Sequence, residues 1–218
     1  MIISKGRGYI FVHIPKTGGT SLALALEARS MRDDILIGDT PKAKRRKRRL
    51  AALTPAGRLW KHSTLADIDG VLSTEEMQDM FCVTLVRNPW DRAVSYYHWL
   101  RAQRFANPHV TLAQALSFGD FLRHDMTRRS LQAWPAASYM RDATGREQAD
   151  LYIRLEHFAQ DAAPLTAHLG FAIDLPHENA SARRKDYRSY YDDSLATLIA
   201  SVCAADIARF GYAFDPVG

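Results

Sequence analysis

The sequence contains few cysteines and no long hydrophobic run. Its 218 residues include only two cysteines, Cys82 and Cys203, which lie far apart in apolar stretches. This pattern predicts two reduced core thiols rather than a disulfide. No stretch reaches the ~20 apolar residues that a membrane-spanning helix needs, and the N-terminus does not have the pattern of a signal peptide. We therefore expect a soluble protein of the cytoplasm without a membrane span.

The sequence also lacks a general excess of positive charge. The formal net charge is +5, and residues 42–49 alone contribute seven positive charges. Outside that run, the 24 acidic residues of the chain slightly outnumber the basic ones. A basic patch on a near-neutral chain indicates one anionic partner rather than a general affinity for nucleic acid. Two interpretations of Lys42–Arg49 stay open: a solvated helix or loop, and an electrostatic lip for an anionic substrate.

Apolar, β-rich runs alternate with helical patterns along the chain. A continuous run such as Met80–Val86 is typical of strands buried on both faces of a parallel sheet. The alternation predicts one α/β domain over residues 1–218, a P-loop-like three-layer sandwich with a mainly parallel central sheet flanked by helices. The predicted segments are a lead at Met1–Arg7, strands at Gly8–Ile14, Met80–Val86 and Leu151–Leu155, short extended pieces at Asp33–Gly38 and Leu59–His62, and helices at Gly19–Ser30, Asp91–Arg101, Thr111–Leu122, Glu156–Leu169 and from Asp192 or Asp193 to Gly211.

An anion site is predicted where the first strand meets the first helix. The junction reads Pro15-Lys16-Thr17-Gly18-Gly19-Thr20-Ser21. Free backbone N–H groups at a helix N-terminus, the helix dipole and a lysine together suit a phosphate or a sulfate. The nucleotide-kinase P-loop has its lysine after the second glycine, followed by a hydroxyl that holds Mg²⁺. Here Lys16 precedes the glycines, so the metal-coordinating arrangement is not evident.

A second anion site is predicted after the strand that ends at Val86. Arg87 stands at the strand's carboxyl end, where open α/β sheets bind ligands, and Ser95 lies in the helix that follows. A guanidinium fork and a hydroxyl can hold one phosphate together. Two strand-end anion sites indicate a ligand with two separated anionic groups.

These two motifs resemble those of sulfotransferases that use 3′-phosphoadenosine 5′-phosphosulfate (PAPS). Pro15–Leu22 resembles their 5′-phosphosulfate loop, and Val86–Arg92 with Ser95 resembles their 3′-phosphate motif. The P-K-T-G-G-T-S form is similar to that of the carbohydrate branch, which includes the heparan 2-O enzymes and many bacterial members. Weaker similarity continues through Tyr152–Glu156 and Phe210–Tyr212, so the resemblance spans most of the chain.

The resemblance implies a role for each matching residue. The 5′-phosphosulfate would be held by Lys16, Thr17, Gly18, Gly19, Thr20 and Ser21. Lys16 would also neutralise charge on the bridging oxygen as the S–O bond breaks. Arg87 and Ser95 would hold the 3′-phosphate, whereas Arg92 has the alternative of pairing with Asp91 or a nearby carboxylate. Arg183, Arg184 and Lys185 lie where the family commonly closes over the nucleotide, and a solvated basic turn is the alternative there.

Transfer of a sulfuryl group to an alcohol requires a proton acceptor near the acceptor hydroxyl. His62 lies between the two motifs and resembles the position of the catalytic histidine in this branch. An imidazole that is neutral near pH 7 suits this task. Glu27 and Glu156 are alternative bases, His13 is expected to pack within its strand, and His98 is expected to be structural.

The leading hypothesis is an enzyme that moves a sulfuryl group from PAPS to a hydroxyl, on a glycan or another anionic acceptor, and releases adenosine 3′,5′-bisphosphate. No metal is expected, because Lys16 and the helix N-terminus supply the positive field. One alternative is a P-loop kinase or NTPase, which the order of lysine and glycine disfavours. The other is a polyanion- or nucleic-acid-binding protein that uses Lys42–Arg49, although no known nucleic-acid-binding motif is present.

Overall fold

The computed structural model describes residues 1–175, 184 and 186–215. The strands are β1 (Ile2–Ser4), β2 (Tyr9–Val12), β3 (Ile35–Leu36), β4 (Phe81–Val86) and β5 (Leu151–Arg154). The helices are α1 (Gly19–Ala28), α2 (Pro41–Arg46), α3 (Thr74–Gln78), α4 (Pro89–Arg101), α5 (Pro108–Ala115), α6 (Phe118–Arg123), α7 (Asp125–Ala133), α8 (Ala136–Tyr139), α9 (Phe158–Asp161), α10 (Ala163–Leu169), α11 (Asp193–Val202) and α12 (Ala204–Phe210). Short 3₁₀ segments lie at Lys5–Arg7, Lys47–Ala52, Ala66–Ile68, Leu155–His157 and Tyr187–Tyr190.

The strands form one mixed sheet in the order β3-β1-β2-β4-β5. β2, β4 and β5 pair in parallel, and β1 pairs antiparallel with both β2 and β3. All strands except β1 therefore run in one direction. The predicted fold class is confirmed: a P-loop-like α/β architecture with a mainly parallel central sheet flanked by helices.

The prediction of Met1–Arg7 as a lead is wrong, because Ile2–Ser4 forms β1. A 3₁₀ turn over Lys5–Arg7 ends at Gly8, whose φ of 61° lets the chain reverse into β2. A strand of three residues is too short for its alternation to be visible in the sequence. The strand end predicted at Leu59–His62 is also wrong, because that segment is irregular.

The central strands are buried on both faces, as predicted for Met80–Val86. On one face, Val83 and Leu85 of β4 join a core cluster with Phe11 of β2 and with Leu22 and Leu26 of α1. On the opposite face, Cys82 and Thr84 are fully buried. The Thr84 hydroxyl donates a hydrogen bond to the Val12 carbonyl at 2.7 Å, which ties β4 to β2. β2 thus leads from the core of the sheet to the predicted anion site at Pro15–Ser21.

Several predicted helices are interrupted. The helix predicted over Thr111–Leu122 is two helices, because Leu116 is extended and the Ser117 side chain caps α6 by accepting from the Asp120 N–H. The helix predicted over Glu156–Leu169 is a 3₁₀ turn followed by α9 and α10, and the last helix breaks at Cys203. Gly170 ends α10 with φ 74° and Gly211 ends α12 with φ 67°, as the sequence predicted.

The described residues cluster into two compact units. The first unit lies within Met1–Val86 and Ala136–Glu178, and the second within Arg87–Pro135 and Asn179–Gly218. The first contains the sheet with α1, and the second contains α4 with a core that includes Trp90, Val94 and Phe121. The single domain expected over residues 1–218 stays a prediction. Within the described residues, no helix is long and apolar enough to cross a membrane.

Candidate active site

The anion loop, defined as Pro15–Ser21, connects β2 to α1 through a strained turn. Lys16 has φ 67°, and among the described residues it alone adopts a positive φ without being glycine. Such a conformation costs an L-residue ~1–2 kcal/mol and is concentrated at functional sites. The buried Thr17 hydroxyl donates to the Ile14 carbonyl at 2.9 Å and fixes the turn. With that hydroxyl proton engaged, the Thr17 backbone N–H is the group that remains suited to an anion.

The loop delivers the chain into the first turn of α1 without a side-chain cap. Gly18 is the N-cap residue with φ 85°, and its carbonyl accepts the N–H groups of Ser21 at 3.0 Å and Leu22 at 3.5 Å. The first N–H groups of a helix have no intrahelical acceptor, so those of Gly19 and Thr20 suit an anion at this end. The Thr20 side chain is exposed and that of Ser21 is buried. The predicted loop residues Lys16–Ser21 therefore lie together at one helix N-terminus.

Both loop glycines are required by their neighbours. A Cβ on Gly18 would lie 2.8 Å from Cδ1 of Leu155, which follows β5, and Gly18 also needs its positive φ. A Cβ on Gly19 would lie 2.1 Å from Cδ2 of His13 and 2.6 Å from its Nε2. Real Cβ atoms do not approach other atoms this closely. The loop backbone is therefore packed between Leu155 on one side and the His13 ring on the other.

The candidate base His62 is tied to the end of β2. Its Nδ1 lies 2.7 Å from the His13 carbonyl oxygen. A carbonyl only accepts, so the neutral His62 ring carries its proton on Nδ1 and leaves Nε2 as the lone-pair nitrogen. The His62 ring meets the His13 ring edge-on at 4.6 Å and the Trp60 ring edge-on at 5.0 Å between centroids. The geometry thus sets both the orientation and the tautomer that a general base requires.

The surroundings of His62 keep it neutral. Burial is the largest cause that lowers the pKa of His62, to about 4, and the hydrogen bond to the His13 carbonyl opposes this shift. Burial and the positive groups nearby also hold the pKa of His13 well below its usual range. The nearby groups that carry or can take up a positive charge are His62, the Met1 amine, Lys61 and Lys16. Both imidazoles are therefore uncharged at pH 7.

Lys61 is anchored beside the base by an ion pair. Its Nζ lies 2.8 Å from a carboxylate oxygen of Asp39, and this hydrogen bond lowers the pKa of Asp39. The buried Met1 amine donates to the carbonyls of Ile37 at 2.9 Å and Lys61 at 3.2 Å. The segment that carries His62 is thereby fixed to the edge of the sheet near β3.

The predicted 3′-phosphate residues lie in the second unit. The Arg87 guanidinium donates from Nε at 2.9 Å and from Nη2 at 2.6 Å to one oxygen of Asp91. Ser95, which is 6% exposed, lies one helical turn beyond Asp91 and on the same face of α4. Asn88 caps this helix by accepting the Trp90 N–H at 3.1 Å. Asp91 therefore orients Arg87 towards the face of α4 that carries Ser95.

The remaining predicted basic residues have different environments. Arg92 pairs with Asp206 at 3.9 Å, which agrees with the alternative of a nearby carboxylate. Arg184 is exposed, and its guanidinium lies over the Tyr190 ring at 5.3 Å from the centroid. Arg183 and Lys185 lie outside the described residues, so their predicted contact with the nucleotide stays a prediction.

Comparison with known proteins assigns the chain to a family. The model of the sulfotransferase family matches residues 1–213, which is nearly the whole chain. The chain belongs to the sulfotransferase family. The sulfotransferase class predicted from the two motifs is therefore confirmed.

The fold comparison agrees with this assignment. The structure of mouse sulfotransferase SULT7A1, complexed with PAP, matches with a TM-score of 0.53 and 17% sequence identity. The match covers 94% of this chain and 85% of the mouse chain, and at this identity it shows the fold alone. Among curated proteins, no sequence gives a significant match.

For a sulfotransferase, the alternative bases are less well placed than His62. Glu27 lies eight residues after Gly19 in α1, ~12 Å along the helix axis from the anion loop. Its carboxylate accepts the Thr40 hydroxyl at 2.7 Å, and burial raises its pKa. Glu156 is exposed in the 3₁₀ turn after β5, and His98 packs edge-on against the Tyr190 ring at 5.2 Å. Of these four residues, His62 is the one that contacts His13, whose ring borders Gly19.

The basic run divides into an inward and an outward set. Lys42 donates to the Glu27 carbonyl, Arg46 to those of Met31 at 2.9 Å and Asp34 at 3.2 Å, and Arg49 to that of Arg32. These three residues satisfy carbonyls in the last turn of α1 and in the segment that follows it. Arg49 is nevertheless exposed, as are the four other members Lys44, Arg45, Lys47 and Arg48. The run forms α2 and the 3₁₀ turn after it, and its role as an electrostatic lip for an anionic substrate stays a prediction.

Sequence reasoning missed three residues of this site. His13 was expected only to pack in its strand, yet it borders Gly19 and bonds His62 through its carbonyl. Leu155 was given no role, and Asp91 was considered only as a partner of Arg92. Asp91 stands four residues after Arg87, a spacing that signals an ion pair along a helix. The neighbours of the glycines depend on tertiary packing, for which one sequence carries no signal.

Proposed function

We propose that this sulfotransferase transfers a sulfuryl group from PAPS to a hydroxyl of an anionic carbohydrate and releases adenosine 3′,5′-bisphosphate. One observation carries this proposal: His13 contacts both the anion loop and the candidate base. Its ring borders Gly19 of the loop, and its carbonyl holds the neutral His62 ring so that Nε2 is the lone-pair nitrogen. Family membership and the PAP complex of the mouse neighbour support the choice of donor.

The anion loop fits the phosphosulfate end of the donor. Bound PAPS supplies an activated sulfuryl group whose leaving group is a phosphate. The N–H groups of Thr17–Thr20 and the charge of Lys16 would hold that end. As the acceptor oxygen bonds to sulfur and the bond from sulfur to the bridging oxygen breaks, Lys16 would neutralise the charge on that oxygen.

His62 would accept the proton that the acceptor hydroxyl loses. Nε2 takes this proton while Nδ1 keeps its hydrogen bond to the His13 carbonyl, so the imidazolium that forms stays oriented. A base with a pKa of about 4 is weak in the free enzyme. A dianionic group bound beside Lys16 favours the protonated imidazole and so raises its basicity when it is needed.

Arg87 and Ser95 would hold the 3′-phosphate of the donor. Asp91 holds the Arg87 guanidinium through Nε and Nη2, and a guanidinium oriented in this way would bind a phosphate with its other N–H groups. The buried Ser95 hydroxyl on the same helix face supplies a further donor. Arg184 would contact the nucleotide from the segment before Tyr190, together with Arg183 and Lys185.

The residues beside His62 suit an anionic sugar. Trp60 is 43% exposed, and its ring lies edge-on to His62. The Arg58 guanidinium lies 5.7 Å from the Trp60 ring centroid. A flat apolar surface next to a cation fits a sugar ring that carries a carboxylate or a sulfate. The exposed cations of the basic run, Lys44, Arg45, Lys47 and Arg48, would add long-range attraction for such a chain.

A transfer assay tests the proposal. Purified protein is incubated with PAPS and separate acceptors, namely uronate-containing glycans, neutral glycans and small alcohols, and the products are identified by mass spectrometry. We expect sulfation of the uronate-containing glycans, and we expect His62→Ala to lose turnover while it keeps its affinity for adenosine 3′,5′-bisphosphate. His168→Ala is the matched control, because His168 is exposed in α10 and contacts the Arg7 carbonyl.

Two results would contradict parts of this proposal. Turnover of His62→Ala near that of the wild type would remove His62 as the base. Sulfation of neutral acceptors alone would remove the anionic carbohydrate as the acceptor and leave the donor chemistry in place.

A further inference from the structure

His13 lies at the point where the anion loop meets the candidate base. It directly follows β2, and its side chain is 7% exposed. The ring edge formed by Cδ2 and Nε2 occupies the position where a side chain on Gly19 would stand. The first helical turn of α1 therefore rests directly on the His13 imidazole.

The same residue contacts His62 through two separate groups. Its carbonyl oxygen receives the hydrogen bond from His62 Nδ1 at 2.7 Å, and its ring meets the His62 ring edge-on at 4.6 Å. The carbonyl fixes the proton on Nδ1, whereas the ring limits rotation of the His62 side chain about its own bonds. The Trp60 ring contacts the His62 ring edge-on from another side, with 5.0 Å between the ring centroids.

The His13 ring acts by packing rather than by hydrogen bonding. Within the described part of the chain, neither of its ring nitrogens makes a hydrogen bond, while its ring contacts Phe11, His62 and Gly19. The packing of this ring against Gly19 and His62 therefore ties the first turn of α1 to the candidate base.

We infer that His13 is a positioning residue for sulfuryl transfer: its ring holds His62 at a fixed distance and orientation relative to the anion loop. This inference rests on the proposed role of His62 as the base. The reacting oxygen must lie between the sulfur held by the loop and Nε2 of His62, so the spacing of the two groups decides the rate. A misplacement of ~1 Å at this distance can cost roughly 100-fold in turnover.

The charged groups around the two histidines come from several elements. Lys16 belongs to the loop, Lys61 to the segment of His62, and the Met1 amine to the start of β1. Asp39, which pairs with Lys61, is the acidic group that faces His62. Burial lowers the pKa of the Met1 amine to about 5, so this group titrates close to His62. Removal of the His13 ring leaves Lys16, Lys61, Asp39 and the Met1 amine in place, so a change in the pKa of His62 then reports on water access.

The test compares His13→Ala with His13→Phe. The alanine variant removes the ring, and we expect its kcat to fall by roughly 10- to 100-fold, with the KM for PAPS and the Kd for adenosine 3′,5′-bisphosphate within about twofold of wild type. The phenylalanine variant keeps a ring, and we expect a higher kcat than that of alanine. His168→Ala is the control for loss of a histidine ring in the same unit, and thermal melting confirms that each variant is folded.

The pH profile adds a readout that general destabilisation does not move. Water that enters in His13→Ala lessens the desolvation of His62, so the acidic limb of kcat/KM should shift to higher pH. In His13→Phe, which still excludes water, the limb should stay nearer that of the wild type. An unshifted limb in His13→Ala would contradict the inferred packing role.

A double-mutant cycle separates this inference from the proposed base. If His13 acts through His62, then His13→Ala has no further effect on kcat in a His62→Ala background. A further 10-fold loss there would overturn the positioning role while the role of His62 stands. Equal loss of affinity for adenosine 3′,5′-bisphosphate in His13→Ala and His13→Phe would also overturn it, because His13 would then be a direct anion contact. Wild-type turnover of His62→Ala would instead overturn the proposed base itself.

Discussion

At the scale of single residues, the anion loop and the candidate base His62 are closely packed. Lys16 occupies a left-handed conformation, Gly19 has no room for a side chain, and His62 has one assigned tautomer. Each of these features constrains a group that an anion or an acceptor would contact. The site is therefore rigid at the positions where transfer of a sulfuryl group requires fixed distances.

Gly19→Ala should damage the site directly. The added methyl group would lie 2.1 Å from Cδ2 of His13, so either the loop or the His13 ring must move. We expect a loss of stability of about 1–3 kcal/mol and a large loss of transfer activity. Urea denaturation and the transfer assay measure the two effects. Gly38→Ala is the control, because its Cβ would lie 3.9 Å from the nearest atom, Cβ of Lys61; equal behaviour of the two variants would contradict this account.

The pKa of His62 should rise when the donor product binds. Burial lowers this pKa to about 4 in the free protein, and an anion next to Lys16 stabilises the imidazolium. NMR titration of the His62 ring with and without adenosine 3′,5′-bisphosphate measures the change, and His168 serves as the internal reference. A pKa of His62 that stays the same or falls on binding would mean that the anion and the base are not neighbours.

The motif residues could be predicted from the sequence because their types and spacing carry the chemistry. A lysine and two glycines between a strand and a helix indicate an anion site whatever surrounds them. The role of His13 could not be predicted in this way. Its contacts with Gly19 and His62 join positions 6 and 49 residues away in the chain, and only the folded sheet brings them together.

At the scale of elements, three residues of the basic run donate hydrogen bonds to α1 and the segment after it. α2 and the 3₁₀ turn after it place Lys42, Arg46 and Arg49 against carbonyls in the last turn of α1 and in the segment after it. Lys44 and Arg45 point away from that contact and are exposed. Composition alone predicted a charged segment, but the division of its residues depends on the position of α1.

Arg46→Ala should therefore change the stability of the protein, and Arg45→Ala its affinity for an anionic acceptor. Arg46 donates to two carbonyls, so its loss should lower the free energy of unfolding by about 1–2 kcal/mol. Arg45 is exposed, so its loss should leave stability within about 0.5 kcal/mol and raise the KM for an anionic acceptor. Urea denaturation and acceptor kinetics at low salt measure both variants. A destabilised Arg45→Ala with unchanged acceptor kinetics would contradict the division.

The strands β4 and β5 could be predicted from the sequence, whereas the short strand β1 could not. Met80–Val86 and Leu151–Leu155 were predicted within one residue of β4 and β5, because long apolar runs are strong signals. β1 was missed because three residues carry no usable period. The two isoleucines of β1, before a turn that contains Gly6 and Gly8, were the available signal for a hairpin.

At the scale of the whole molecule, two buried neutral imidazoles link stability to pH. The pKa values of His13 and His62 are lower in the folded protein than in the unfolded chain. Their contribution is therefore complete above the unfolded value of ~6.5 and is lost as the pH falls towards the folded value of about 4 for His62.

We expect the free energy of unfolding to fall by roughly 1–2 kcal/mol between pH 7.5 and pH 5 for His62 alone, with a further loss from His13. Urea denaturation at constant ionic strength measures this loss. His168→Ala should keep the full loss and serves as the control. A protein that is equally stable or more stable at pH 5 would show that the two rings are solvated.

The anion loop should select adenosine 3′,5′-bisphosphate over ATP. Calorimetry measures this most directly, with each nucleotide in a chelator and in Mg²⁺, on the wild type and on Lys16→Ala. The account predicts that the bisphosphate binds in the chelator at least about tenfold more tightly than ATP, and that Lys16→Ala weakens it by about tenfold or more. Binding of ATP that equals or exceeds that of the bisphosphate and depends on Mg²⁺ would contradict it.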